Sequence, residues 1–254
     1  MDIGVNLFSL RTMLKDEQGV YDTFTELKDA GAAYMQYSGG IYDVKILKNA
    51  ADILPIVLTH VPYNRIVNEM DALMEEHALF GCNNIGLGCY PEEGLFDINK
   101  CFETIDALEK SAIEAERNGF KLYLHQHSTE FYRIQEDKTV MDIILERAPH
   151  LQITADTFWL QHGGVSITDY LKDRLSGKVG CIHLKDYAIT GVNRVDLKPA
   201  YERVGYGNID FYKVVEVAKE CGTKYFLIEQ DDACEKPESL RLIKDSIDYC
   251  RSEL

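Results

Sequence analysis

A chain of 254 residues suits one large domain or two small ones, and 46% hydrophobic with 27% charged residues is an ordinary balance for a soluble globular protein. A net charge of −15 argues against a nucleic-acid partner, whose backbone a basic face normally grips, and it offers no long-range attraction for anionic substrates. No apolar run approaches the ~18 residues of a membrane span, the first residues lack a signal-peptide core, and seven irregularly spaced cysteines without C-x-x-C read as reduced thiols, so a cytoplasmic protein without a membrane partner is expected.

Apolar runs alternate with helical patterns from end to end. Ile3–Phe8 reads as a first strand and Asp16–Ala30 as a helix stopped by Gly31. Ala33–Tyr37 is a second strand, followed by a short helix over Tyr42–Ala51. Pro55–His60 is a third strand, Asn64–Phe80 one helix and Asn84–Leu87 a fourth strand. The next helix is the clearest: Asp97 caps it, and Ile98, Phe102, Ile105, Leu108 and Ala112 make one apolar stripe. Lys121–Leu124 is a fifth strand and Thr139–Arg147 a helix. Leu151–Ala155, the helix Ile167–Leu175 and the strand Val179–Leu184 follow. Tyr187–Asn208 has mixed polarity and reads as a loop over the site. Ile209–Cys221 is a helix, Tyr225–Glu229 the eighth strand and Pro237–Cys250 the last helix.

Eight strand-then-helix units without a linker predict a (β/α)₈ TIM barrel, an α/β fold, as one domain over 1–254. The alternative, a doubly wound open sheet, usually carries a Gly-rich first turn. Here that turn reads Leu7-Phe8-Ser9-Leu10-Arg11.

Barrel active sites lie at the C-terminal ends of the strands. Four consecutive ends carry ligand-type side chains: His125, His127 and Glu130 after the fifth strand, Asp156 after the sixth, His183 after the seventh and Glu229 after the eighth. Mixed imidazole and carboxylate suit Mn²⁺, Zn²⁺, Co²⁺ or Fe²⁺ better than Ca²⁺. His60 and Tyr37 end the third and second strands and are expected to point into the same mouth as substrate contacts. Trp159 either stacks on an apolar face of a ligand or fills the mouth. Lys185 either orients a substrate oxygen or pairs with Asp186 or Asp231. Gly163-Gly164 offers a weak anion-binding turn, and His77 and His150 read as solvated.

Five segments together resemble the xylose-isomerase-like sugar phosphate isomerase/epimerase superfamily, which includes ketose 3-epimerases, inosose dehydratases and, more distantly, family-2 AP endonucleases. Leu122–Phe131 is similar to its H-N-H-x-x-E-F segment, with Gln126 in place of Asn. Ile153–Gly164 is similar to its D-x-x-W-x-x-x-x-G strand, and Ile182–Tyr187 to its H-x-K-D. Val204–Phe211 is similar to V-G-x-G-x-I-D-F and Leu227–Asp231 to its E-x-D ending.

The resemblance implies a divalent metal held by strands five to eight. Asp156, His183 and Glu229 carry over. The family's strand-five glutamate falls at His125, which the H-x-H subgroup makes the fourth ligand, leaving His127 and Glu130 to face substrate. It further implies proton abstraction next to a carbonyl of a sugar or keto-polyol through a metal-stabilised enediolate. Glu229 would be the base, and His127, Glu130 or Lys185 the opposing donor. With histidine in place of one paired glutamate, isomerisation or elimination suits the site as well as epimerisation does. A dehydratase or β-eliminating lyase is the alternative, and a non-catalytic barrel subunit a third reading. An AP endonuclease is disfavoured by the acidic balance and the shortage of histidines. A homo-oligomer is compatible with the sequence.

Overall fold

The computed structural model describes residues 1–254. Eight parallel strands close into a barrel: β1 (Gly4–Asn6), β2 (Tyr34–Tyr37), β3 (Ile56–His60), β4 (Asn84–Leu87), β5 (Lys121–His125), β6 (Gln152–Asp156), β7 (Cys181–Leu184) and, after a two-stranded excursion β8 (Asp186–Thr190) and β9 (Lys198–Glu202), β10 (Tyr225–Ile228), which pairs with both β7 and β1. This is the predicted TIM barrel. The helices that flank it are α1 (Glu17–Asp29), α2 (Val44–Ile53), α3 (Tyr63–Asn68), α4 (Met70–Leu79), α5 (Glu93–Phe96), α6 (Ile98–Arg117), α7 (Val140–Arg147), α8 (Thr157–His162), α9 (Ile167–Arg174), α10 (Phe211–Glu220) and α11 (Ser239–Glu253). None is long and apolar enough to cross a membrane. All seven cysteines are free, five of them buried.

Strand alternation explains both the core and the site. Residues two apart share a face, so each strand sends one set of side chains to the helices and the other into the barrel. The outer set, with residues such as Val5, Met35, Ile153 and Ile182, joins the main core of 62 buried residues. The inner set forms a small plug of Tyr34, Leu58, Tyr123, Cys181 and Leu227. Two residues further along each strand the inner positions turn polar: Gln36, His60, His125, His183 and Glu229, with Asn6 and Asp156. The plug therefore forms the floor beneath a ring of polar side chains. Glycine makes room for that ring at β4, where a Cβ on Gly86 would sit 2.5 Å from the Thr59 carbonyl oxygen and 2.9 Å from the His60 ring.

Four local expectations are corrected. The first strand is only Gly4–Asn6; Asn6 then accepts from the Phe8 N–H (3.3 Å) and starts a 3₁₀ turn over Leu7–Met13. The helix expected over Asn64–Phe80 breaks at Glu69 (φ −135°). There the Ser111 hydroxyl of α6 donates to the Ile66 carbonyl, the acceptor a continuous helix would offer to Met70. The loop Tyr187–Asn208 holds the antiparallel hairpin β8–β9, in register from Asp186↔Glu202 to Thr190↔Lys198. Its tip residues Val192 and Val195 are almost fully exposed, so no apolar alternation marks it, and Pro199 sits where an edge strand tolerates it. Gly163 and Gly164 end α8, with Gly164 at φ +85°, so they close a helix and make no anion-binding turn.

His77 is not solvated. It is fully buried, its Nδ1 bonded to the Leu73 carbonyl (2.6 Å) and its Nε2 to the Thr59 hydroxyl (2.6 Å). The carbonyl can only accept, so Nδ1 carries the proton and the neutral Nε2 accepts from Thr59. Burial lowers its pKa from 6.5 to about 4. Above pH 6.5 both folded and unfolded chains hold it neutral. Between pH 6.5 and about 4 only the unfolded chain takes the proton, so stability falls as the pH drops through that window, by up to about 3 kcal/mol. Urea unfolding at pH 7 and pH 4.5 should show a smaller acid loss in His77→Phe than in the parent chain. An equal loss in both contradicts the assignment.

Candidate metal centre

The polar ring converges on one point. His125, Asp156, His183 and Glu229, all buried, each offer a ligand atom, and those atoms lie within 4.8 Å of one another. His183 Nδ1 is 2.9 Å from Glu229 Oε2 and 3.1 Å from His125 Nε2. His125 Nε2 is 3.4 Å from Asp156 Oδ2 and 3.8 Å from Glu229 Oε2.

The supporting bonds decide which atoms face inward. His183 Nε2 is bonded to Gln36 Oε1 at 2.7 Å, which must accept, so the proton sits on Nε2 and the Nδ1 lone pair points to the centre. The same Gln36 donates its amide to His60 Nε2 (2.8 Å) and so fixes both rings. Asn6 donates to Glu229 Oε1 (2.6 Å) and accepts from Ser38 (2.5 Å), leaving Oε2 free for the centre. Asp156 Oδ1 caps α8 through the Trp159 N–H (3.0 Å), turning Oδ2 inward. Gln126 accepts from the Asp156 N–H (3.3 Å) and donates to the His127 carbonyl (2.9 Å). Two inward imidazole nitrogens and two inward carboxylate oxygens, with His183, Asp156 and Glu229 each oriented by a second bond, fit a divalent transition ion. The close approach of His125 Nε2 and His183 Nδ1, with no other cation than Lys185 beside the carboxylates, fits a positive centre between them.

Lys185 is the second charge of the site. It is 1% exposed, and its Nζ lies 2.9 Å from Asp231 Oδ2, 3.1 Å from Glu229 Oε2 and 3.3 Å from Asp156 Oδ2. Burial alone would lower its pKa, but these three carboxylates outweigh it and hold the ammonium charged. Burial pushes Glu229 up, yet Lys185 and His183 hold it well below the usual carboxylate range. At Asp156 burial wins and the carboxyl is raised. His125 is driven well below 6.5 by burial and its imidazole neighbours, and His127 to about 4 by burial and then Lys185, so both rings are neutral near pH 7.

Several expectations are corrected here. Tyr37 does not reach the mouth. It lies on the outer face of β2, packs near Phe24 and bonds the Ile41 carbonyl (2.6 Å), while its neighbour Gln36 points inward. Glu130 neither ligates nor faces the cavity. It is fully buried and turns back to accept from the His127 N–H (2.5 Å) and the Thr129 hydroxyl (3.2 Å), and burial raises it to about 7. Lys185 pairs with Asp231 and not with Asp186. The Asp186 carboxylate instead collects the N–H groups of Tyr187, Gly205, Gly207 and Ile209 at 2.8–3.2 Å. A Cβ on Gly207 would lie 2.4 Å from Asp186 Oδ1, so the H-x-K-D and V-G-x-G segments form one structural unit.

The remaining candidates lie together. His60, His125, His127, Lys185, Glu229 and Asp231 line a cavity of about 540 Å³ above the centre. Trp159 stands behind His127, ring centroids 5.3 Å apart, with Lys185 Nζ 5.1 Å from its own. Its indole N–H is buried without a partner. The residues that sequence reasoning missed are Gln36, Asn6 and Tyr201, whose ring lies 5.4 Å from Lys185 Nζ. Gln36 and Asn6 sit at inward strand positions and could have been found by counting alternation. Tyr201 comes from the unforeseen hairpin.

Gln36→Leu should leave His183 and His60 unpinned and weaken divalent-metal binding about 10- to 100-fold. Calorimetric titration of the apo protein checks this; unchanged affinity would remove Gln36 from the supporting shell.

Comparison with known proteins agrees with this geometry. A family model described as xylose isomerase-like TIM barrel matches residues 56–253. No curated protein matches the chain. Among solved structures, the chain is similar to a sugar phosphate isomerase/epimerase from Parabacteroides distasonis ATCC 8503 (TM-score 0.80, 16% identity, 99% of this chain and 94% of that one). It is also similar to the probable 3-DHS dehydratase AsbF from Bacillus anthracis (TM-score 0.72, 12% identity, 100% of both chains). An L-ribulose 3-epimerase is a further neighbour (TM-score 0.70, 15% identity, 99% of this chain and 94% of that one). At these identities the solved structures speak for the fold, while the family model spans most of the chain: the protein belongs to the xylose isomerase-like TIM barrel family.

Proposed function

We propose that the protein is a divalent-metal-dependent isomerase or epimerase that moves a proton at a carbon next to the carbonyl of a sugar or keto-polyol. The observation that carries this reading is the buried set His125, Asp156, His183 and Glu229 at the base of an open cavity. Mn²⁺, Zn²⁺, Co²⁺ and Fe²⁺ match its donors. The ion, when bound, polarises the substrate carbonyl and steadies negative charge on its oxygen.

The chain's own residues do the rest. Glu229 lines the cavity, Asn6 fixes its carboxylate through Oε1, and Lys185 and His183 keep it ionised to take a proton. Lys185, 3.1 Å from Glu229 Oε2, points its N–H groups at developing negative charge and can return a proton. His127 and His60 line the same space as hydrogen-bonding partners for hydroxyls, and Trp159 backs His127. Glu130 has no part in this scheme, because its carboxylate is engaged by its own turn.

A lyase is the second reading, favoured by the asymmetry of the site. One wall carries the carboxylate of Glu229 and the ammonium of Lys185, not a pair of carboxylates across one carbon. A base and a separate cationic acid suit loss of water or an alcohol from a keto-sugar. Incubating the metal-loaded protein with keto-sugars in deuterated water separates the readings. Deuterium uptake with the carbon skeleton intact supports isomerase or epimerase, and loss of water or an alcohol supports lyase. Bound metal with no exchange on any keto-sugar would reject both and leave a non-catalytic barrel.

A further inference from the structure

The cavity is lined by two unlike sets of residues, and the second is not explained by metal chemistry. Beside the polar residues the lining holds an apolar wall of Phe8, Val61, Tyr63, Leu87, Tyr90 and Pro91, from the segments after β1 and β3 and from the end of β4 with the residues that follow it. The Tyr90 hydroxyl is engaged on α6, where it donates to the Cys101 carbonyl (3.3 Å), so its ring carbon is what it has left to offer. The lining holds no arginine and a single lysine, Lys185, whose charge three carboxylates already surround. Arg11, which stacks on Phe8 at 4.1 Å, spends its Nη1 on the Phe8 and Asp231 carbonyls (2.8 and 2.9 Å). A phosphoryl group would thus find no cation of the chain in the lining other than Lys185 and would lie in a strongly acidic protein. The cavity, about 540 Å³, equals about 18 waters at ~30 Å³ each, more than one sugar ring displaces.

We infer that the site takes a neutral, unphosphorylated sugar carrying an apolar substituent, such as a glycoside with an aromatic or alkyl aglycone, the sugar over the metal donors and the substituent on the Phe8–Tyr63–Tyr90 wall. This deepens the sugar reading above and rests on it. Apolar groups on an aromatic wall gain from area removed from water and from ring contacts, neither of which a phosphate can use.

The test is binding, independent of turnover. The Mn²⁺-loaded protein is titrated calorimetrically with the phenyl glycoside, the methyl glycoside and the 6-phosphate of glucose and of galactose. For at least one sugar the phenyl glycoside should bind about tenfold more tightly than the methyl glycoside, and the 6-phosphate no more tightly than the methyl glycoside. Phe8→Ser and Tyr63→Ser, at two half-buried positions, should each shrink the phenyl preference to about twofold or less without changing Mn²⁺ affinity. Equal binding of phenyl and methyl glycosides, tighter binding of the phosphate, or a phenyl preference untouched by both variants overturns the inference. Phenyl preference with no proton exchange on any keto-sugar would reject the enzymatic proposal and leave this one standing. Exchange on a phosphorylated keto-sugar with no phenyl preference would do the reverse.

Discussion

Lys185→Met should destabilise the metal-free protein by about 3 kcal/mol near neutral pH, and saturating divalent metal should restore most of that loss. The ammonium is 1% exposed and lies within 3.3 Å of three carboxylates. Removing one partner of a buried ionic set leaves the others uncompensated, at a cost of about 3–5 kcal/mol; burial already raises the pKa of Asp156, which places the expected value at the lower end. A divalent ion at the candidate centre would be held by Asp156 and Glu229 and would supply the missing positive charge. Urea unfolding of parent and variant, with and without Mn²⁺, measures both effects. A loss of the same size with metal bound would mean that Lys185 and the ion do not act on the same carboxylates. Keto-sugar exchange should also fall sharply, because the proposed acid is gone.

Asp156→Ala and His183→Ala should each weaken metal binding by more than about 100-fold, since even supporting residues cost about 10- to 100-fold when removed. The barrel should persist in both. Asp156→Ala removes the α8 cap, worth about 1 kcal/mol, but also a desolvated carboxyl. His183→Ala leaves a void and an unpaired Gln36 carbonyl, offset by relief of the crowding against His125. Far-ultraviolet circular dichroism reports the fold and elemental analysis the metal. Full occupancy in both variants would place the ion elsewhere.

The barrel and the convergence of four ligand-type side chains were legible because both follow from short-range regularities. Apolar runs and helical spacing fixed the order of units, and strand ends in a parallel barrel share one mouth. What was not legible lay where local pattern and tertiary contact part company. Tyr37 and Gln36 differ by one position, and a half-turn of the strand decides which faces the site; the β2 end looked polar at both. Glu130 sits in a ligand-rich segment, yet a 3₁₀ turn folds it onto its own backbone. The Glu69 break needs Ser111, distant in sequence, to compete for a carbonyl. The hairpin β8–β9 has no buried face along much of its length and so no alternation to detect. His77 looked like one more polar residue of a helix until β3 supplied Thr59.

X-ray absorption at the metal edge of the loaded protein addresses the two-imidazole, two-carboxylate centre most directly. Two imidazole rings with oxygen completing the inner shell are predicted, with one ring lost in His183→Ala. An inner shell of oxygen alone, of sulfur, or one unaltered by that substitution would contradict it.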